Sequence, residues 1–188
     1  MLSILLRLVQ VTGIHNIMKI LGNVIIYQLI WFLSVLGGNW GAYGGIVLLL
    51  IHLFFSQVRA ADLRMMGFLL FTGLLVDGTL HQIGFISFTV TGFPIPFWLM
   101  VIWLGLAITP YHSLAWLQQR LLLAMLFGAI GGPLAYWAGA RLGAATFNYT
   151  LLPSLLTLSL IWAILWPAVM YFSVVSEKNR FTTKPITK

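Results

Sequence analysis

Cysteine is absent from the 188 residues, which excludes disulfides, thiol catalysis and cysteine-bound metal. Charge is scarce as well: 7% of residues are Asp, Glu, Lys or Arg, and only three are acidic. A soluble domain carries about 25% charged residues, and its solubility depends on that mixed coat. Catalytic signatures are missing too. There is no GxSxG, no P-loop, no GxGxxG at a strand–helix junction, and no pair of carboxylates at acid–base spacing. No catalytic residue is assigned. What fills the chain is apolar: 61% of residues are hydrophobic, with a mean hydropathy of +1.01. Such surface is stable only against hydrocarbon. The expected fold class is all-α, a polytopic membrane bundle.

Each span needs about 20 apolar residues, and the hydrophobic runs predict six transmembrane helices. They cover Ile20–Leu36, Trp40–Gln57, Met65–Ile83, a fourth span opened by Pro94 and Pro96 and closed near Thr109-Pro110, Leu121–Ala140 and Leu151–Val175. Gly37-Gly38-Asn39 separates the first two. Arg59-Ala-Ala-Asp62-Leu-Arg64 reads as a charged turn before the third. Gly84–Phe93 reads as an extended or interfacial loop, and Tyr111–Arg120 as a short amphipathic connector. Residues 1–19 form a leader or interfacial segment, or precede a start at Met18. Residues 20–175 form the transmembrane domain and 176–188 a basic cytoplasmic tail. No long repeat relates spans one to three to spans four to six.

Charge sorting sets the expected topology. With both termini cytoplasmic, Arg7, Lys19, Arg59, Arg64, Arg120, Lys178, Arg180, Lys184 and Lys188 lie inside, and Arg141 alone lies outside. The formal charge of +7 is then a topology signal. The basic residues lack the interleaved stacking platform of a nucleic-acid site, so no nucleic acid is expected as a partner. Tail cations are suited to anionic headgroups. Trp40, Trp98, Trp116 and Trp137 fall near the predicted interfaces.

Polar side chains inside a span need a reason. Asp77 is the one acidic residue within a predicted span, sharing a helix face with Gly73, His81 and Gly84. It reads as the partner of Arg141 or as a site for proton transfer or substrate binding. His52 in the second span matches Gln28 of the first in depth, and the two are expected to hydrogen-bond. His112 and Asn23 form a second such pair. No HxxxH or HxxE spacing joins the four histidines, so neither metal nor cofactor is expected. The fifth span carries two stripes of small residues, Ala124-Gly128-Gly132 and Gly131-Ala135-Gly139-Gly143. Small stripes let helix backbones approach closely, and tight packing is the favoured reading over a substrate passage.

Several segments carry a resemblance: Asn23 with Gln28-Leu-Ile-Trp31-Phe32 and Val35-Leu36-Gly37, His52-Leu53, Asp77, His112-Ser113-Leu114-Ala115-Trp116-Leu117, and above all the run from Gly132-Pro133-Leu134-Ala135-Tyr136-Trp137 to Arg141-Leu142-Gly143. Together they resemble an uncharacterised family of small proteobacterial inner-membrane proteins, known as a domain of unknown function, over about residues 18–175. Tyr111 stands where that family more often has Asn, and Pro110 is unusual, which separates the His112 loop from any shared site. The resemblance implies a multi-pass inner-membrane location and a compact helical fold, and adds Tyr136 to the candidate polar residues. It also hints at neighbours that modify lipids. Three functions follow as expectations: an accessory or scaffold protein for membrane-lipid modification or stress, binding a hydrophobic small molecule or a membrane enzyme; a small transporter or channel with a polar path around Asp77; and an intramembrane enzyme using His and Asp.

Overall fold

A computed structural model describes the backbone of residues 2–182 and the side chains of residues 13, 14 and 16–176. Five helical runs dominate it: α1 (Leu2–Phe55), α2 (Arg59–Gln82), α3 (Phe97–Leu106), α4 (Leu121–Arg141) and α5 (Leu151–Thr182). Two three-residue strands, β1 (Ile86–Phe88) and β2 (Ala145–Phe147), pair antiparallel. The segment that joins α3 to α4 is a chain of turns with one 3-10 turn, Ala115–Leu117.

α1 is a hairpin. Its helical geometry is interrupted at Gly38, with φ 54° and ψ −139°, a conformation that a side chain would strain. A Cβ on Gly41 would overlap the Leu33 carbonyl, and one on Gly45 would press on Val101 and Ile30. In a straight helix residues 33 and 41 are about 12 Å apart. The chain therefore reverses at Gly38, and two arms pack antiparallel through small residues. The predicted Gly37-Gly38-Asn39 break is where the reversal occurs.

Four helical segments are long and apolar enough to cross a membrane: Asn16–Phe55, Arg59–Gln82, Leu121–Arg141 and Leu151–Ser176. Length alone thus counts four such segments where the sequence predicts six spans. The first two predicted spans lie in one broken run, and the fourth is only the ten-residue α3. Ten residues rise about 15 Å, half of a hydrocarbon core of about 30 Å. α3 starts where Pro96 supplies an extended N-terminal boundary and ends in turns that continue past Pro110. It is pinned at both ends. Asn39 accepts from the Trp98 N–H (3.2 Å), one of the amides that a helix start leaves unpaired, and Asn23 donates to the Ile108 carbonyl (3.1 Å). The predicted leader joins α1 without a break from Leu2, and the basic tail from Glu177 lies outside the described side chains.

The outer surface is apolar, as lipid contact requires. Phe54, Phe55, Leu160 and Ile164 are each at least 70% exposed. Trp40, Trp116 and Trp137 are exposed as well. Trp98 differs from them in being buried in the core.

An internal repeat organises the rest, contrary to the expectation of none. The units α2–β1–α3 and α4–β2–α5 superpose in sequence at a constant separation of 59 residues, which matches Gly73 to Gly132, Gly84 to Gly143, Phe88 to Phe147, Thr91 to Thr150, Pro94 to Pro153 and Trp103 to Trp162. Geometry repeats with it. Gly84 (φ 71°) and Gly143 (φ 83°) close their helices with the same pair of bonds: Gly84 N–H to the His81 carbonyl and Phe85 N–H to Leu80, Gly143 N–H to Ala140 and Ala144 N–H to Gly139. This is the Schellman arrangement, which needs glycine at the positive φ. Gly73 lies against the Trp103 ring and Gly132 against the Trp162 ring, too closely for any Cβ. The strands pair Ile86 with Phe147, Ser87 with Thr146 and Phe88 with Ala145, centred on the equivalent residues Ser87 and Thr146. An antiparallel pairing so centred is a local two-fold, and both parent helices reach it running the same way. The repeats are parallel, related by an axis along the bundle, a symmetry common to membrane bundles built from internal repeats.

Candidate functional site

The two repeat halves do not close completely. α4 packs most extensively on α5 and α1 on α3, and α1 and α4 have little direct packing. Between them is a cleft of about 560 Å³. Val24, Trp31 and Phe32 of α1 form one wall and Leu134, Ala135 and Gly139 of α4 the other, with Trp103 and Trp162 at the back. Its lips, among them Val24, Phe32, Phe127 and Leu134, belong to the exposed apolar surface, so the cleft opens onto that surface.

The two small-residue stripes of α4 explain how this space persists. Gly128 and Gly132 lie against Trp162 and Trp166, where a Cβ has no room, so that stripe packs α4 onto α5. Gly131 and Gly139 lie on the other stripe and line the cleft. A Cβ on Gly139 would meet nothing within 4 Å, although Gly139 is buried. One stripe is for packing and the other keeps a cavity. Tight packing throughout, the favoured reading of the sequence, holds for one of them.

The pseudo-two-fold axis runs beside the back wall. Trp103 and Trp162 stack there with centroids 5.5 Å apart and an interplanar angle of 11°. Asp77 and Tyr136 are equivalent in the repeat and meet: the Tyr136 hydroxyl donates to Asp77 Oδ1, and Trp103 Nε1–H donates to Oδ2 at 2.7 Å. Asp77 is completely buried, with each oxygen occupied. The expected Asp77–Arg141 pair does not form. Arg141 is exposed at the end of α4, and neutral aromatic donors hold the carboxylate instead. His81, on the same face of α2, places Nδ1 3.1 Å from the Ile86 carbonyl and leans on Phe88, a strand-positioning role. Among the described residues, the buried indole N–H of Trp166, on the cleft wall, has no hydrogen-bond partner.

A second polar cluster lies at the opposite end of α2. Asp62, in the first turn, is fully buried and receives the Ser56 hydroxyl on Oδ2. His112 Nε2 approaches Oδ1 at 3.1 Å, and His52 Nε2 approaches Oδ2 at 3.4 Å. The imidazoles meet edge to face, with centroids 4.7 Å apart. His52 therefore does not pair with Gln28, which is exposed on the cleft rim. Nor does His112 pair with Asn23: that amide accepts from the Ser113 hydroxyl (2.6 Å) and the Ser113 N–H (3.2 Å). Asp62 itself was hidden in sequence, because Arg59 to Arg64 reads as a solvated turn. The signal available was that a helix start favours an acidic residue, and α2 begins at Arg59 rather than Met65.

A protein family described as "Protein of unknown function (DUF2878)" matches residues 20–168. The chain belongs to this family. The match includes both repeats as far as Trp162, the cleft and both aspartate clusters, so the site geometry lies within the family's shared extent. Comparison with curated proteins and with solved structures finds no match.

Proposed function

We propose that the chain is a multi-pass membrane protein that holds an apolar, lipid-like molecule in the cleft between α1 and α4, as an accessory to modification of membrane lipids in the cell inner membrane. The observation that carries this reading is the cleft itself. Its volume of about 560 Å³ falls within the ordinary range for small-molecule sites, about 300–1,000 Å³. Its lips are apolar, and its α4 wall has room at Gly139, where an added Cβ would meet nothing within 4 Å, and at Gly131, where it would reach only the edge of Phe127. An apolar ligand reaches such a site from the bilayer without crossing water.

The topology that fits is six crossings with both ends cytoplasmic. The Gly38 hairpin supplies two of them, and α3 with its following turns reaches from Asn39 to the level of Asn23. Reporter fusions at the two ends landing on opposite sides would refute it. Transport along a polar path around Asp77 has less support from the same geometry. Asp77 is sealed by Trp103 and Tyr136, Gln28 is on the cleft rim, and His52 belongs to the Asp62 cluster at the other end of α2.

Plugging the cleft tests the binding function. Gly131→Phe and Gly139→Leu add bulk where the structure has space, whereas Gly67→Leu does so away from the cleft. A fluorescent fatty acid titrated into detergent-solubilised protein is expected to lose at least about tenfold in affinity, or about 1.4 kcal/mol, in the first two variants only. Equal affinity in all three variants and the parent would overturn the proposal.

A further inference from the structure

The Asp62 cluster has the composition and geometry of a metal centre. Its donors come from three segments: His52 from the last turn of the α1 hairpin, Asp62 from the first turn of α2, and His112 from the turns after α3. One ring nitrogen of each histidine and a carboxylate oxygen all lie within 4.8 Å of one another. A tetrahedral zinc shell, with bonds of about 2.0–2.2 Å, places its ligand atoms about 3.3 Å apart. Measured to the one oxygen Oδ2, both imidazole–carboxylate separations, 3.3 Å from His112 and 3.4 Å from His52, already match that spacing. Only the two imidazole nitrogens need to draw together.

A second observation points the same way. His52 Nε2 is buried and aimed at Asp62 at 3.4 Å, yet it makes no hydrogen bond in this arrangement. A buried polar nitrogen left without a bond is costly. One histidine, His112, is enough to give the carboxylate a hydrogen-bond partner, and a second at a poor angle adds nothing to that pair. An ion between them satisfies both. Nor does a fixed cation take the role: among the described residues no Lys or Arg pairs with Asp62, and Arg59 donates to the Phe54 carbonyl (2.9 Å). The carboxylate is already oriented from outside, since the Ser56 hydroxyl donates to Oδ2 while accepting from the Val58 N–H at 3.2 Å. Such outer partners are what hold a ligating carboxylate in place.

We infer that His52, Asp62 and His112 bind a divalent first-row transition ion of the zinc class through two imidazole nitrogens and one carboxylate. Three protein donors leave a coordination position for water or for an oxygen of a bound molecule. Ser113 and Leu114, which follow His112 directly, line the cleft. The inference is independent of the lipid-binding proposal and stands if that proposal fails.

The test is a titration of the full chain, stripped with chelator in detergent, with Co²⁺ as a spectroscopic stand-in and Zn²⁺ as competitor. The expected result is one Co²⁺ per chain with the strong visible absorption of a low-symmetry site, displaced by Zn²⁺. His112→Ala and Asp62→Asn should each weaken binding more than about a hundredfold, the upper limit for loss of an outer partner alone. His81→Ala should leave it unchanged. If the parent shows only the spectrum of hydrated Co²⁺, or if binding survives both ligand substitutions, the metal assignment is overturned. The parent titration decides the matter even where a variant does not fold.

Discussion

Two carboxylates on one helix are both fully buried and yet have opposite surroundings. Asp77 receives two neutral aromatic donors, one from each repeat, so that its oxygens tie Trp103 and Tyr136 across the pseudo-two-fold axis. Asp62 faces two imidazoles and a serine hydroxyl at the far end of α2, with one imidazole nitrogen left unbonded. Complete burial is common to both and distinguishes neither. The chemistry of the partners does: rigid single-purpose donors make a lock, and imidazoles make a place for a cation.

Substitutions that break this contrast are expected to rank as follows. Asp77→Ala strands two donors, the Tyr136 hydroxyl and the Trp103 N–H, in the apolar interior. At about 1–3 kcal/mol for each unsatisfied group, the loss of stability is about 3–4 kcal/mol, read as a fall in the unfolding midpoint in detergent. Asp62→Ala in metal-free protein should cost about half of that or less, because His112 is only half-buried and water reaches it at the helix end. Equal losses at the two positions would erase the distinction. Tyr136→Phe and Trp103→Phe each remove one donor while keeping the ring, and should cost about 1–2 kcal/mol. A near-zero effect of both would mean that Asp77 is held by something else. The smallest change, about 0.5–1 kcal/mol, is expected for His81→Ala, whose bond to the Ile86 carbonyl lies at a half-buried strand edge.

The helices were legible in the sequence and their rotation was not. Apolar runs and Gly37-Gly38-Asn39 placed the long helices and the hairpin, because hydrocarbon contact and a positive φ impose strong constraints on composition. Which face of a helix meets which neighbour depends on packing between elements distant in the chain. Asp77 was therefore paired with Arg141 by charge, when two uncharged aromatics hold it. Gln28 was matched to His52 by depth, although one is on the cleft rim and the other is gathered at Asp62. The α3 segment looked long enough for a span, but its boundary at Pro96 and the turns up to Pro110 leave ten helical residues. The repeat is hard to see in the sequence because it relates two-helix units 59 residues apart, outside the α1 hairpin, and not the two halves of six spans. Its legible signals were the glycine–tryptophan pairs, Gly73 with Trp103 and Gly132 with Trp162, each 30 residues apart.

The most direct test of the lipid-binding cleft is photolabelling in membranes with a diazirine-bearing fatty acid, followed by mapping of the modified residues. Labels are expected to concentrate on Trp31 and Phe32 of α1 and on Leu134 to Gly139 of α4, and to fall sharply in the Gly139→Leu variant. Even labelling of the cleft and of plain lipid-facing positions such as Leu160 and Ile164, unchanged by that substitution, would contradict a lipid-binding role for the cleft.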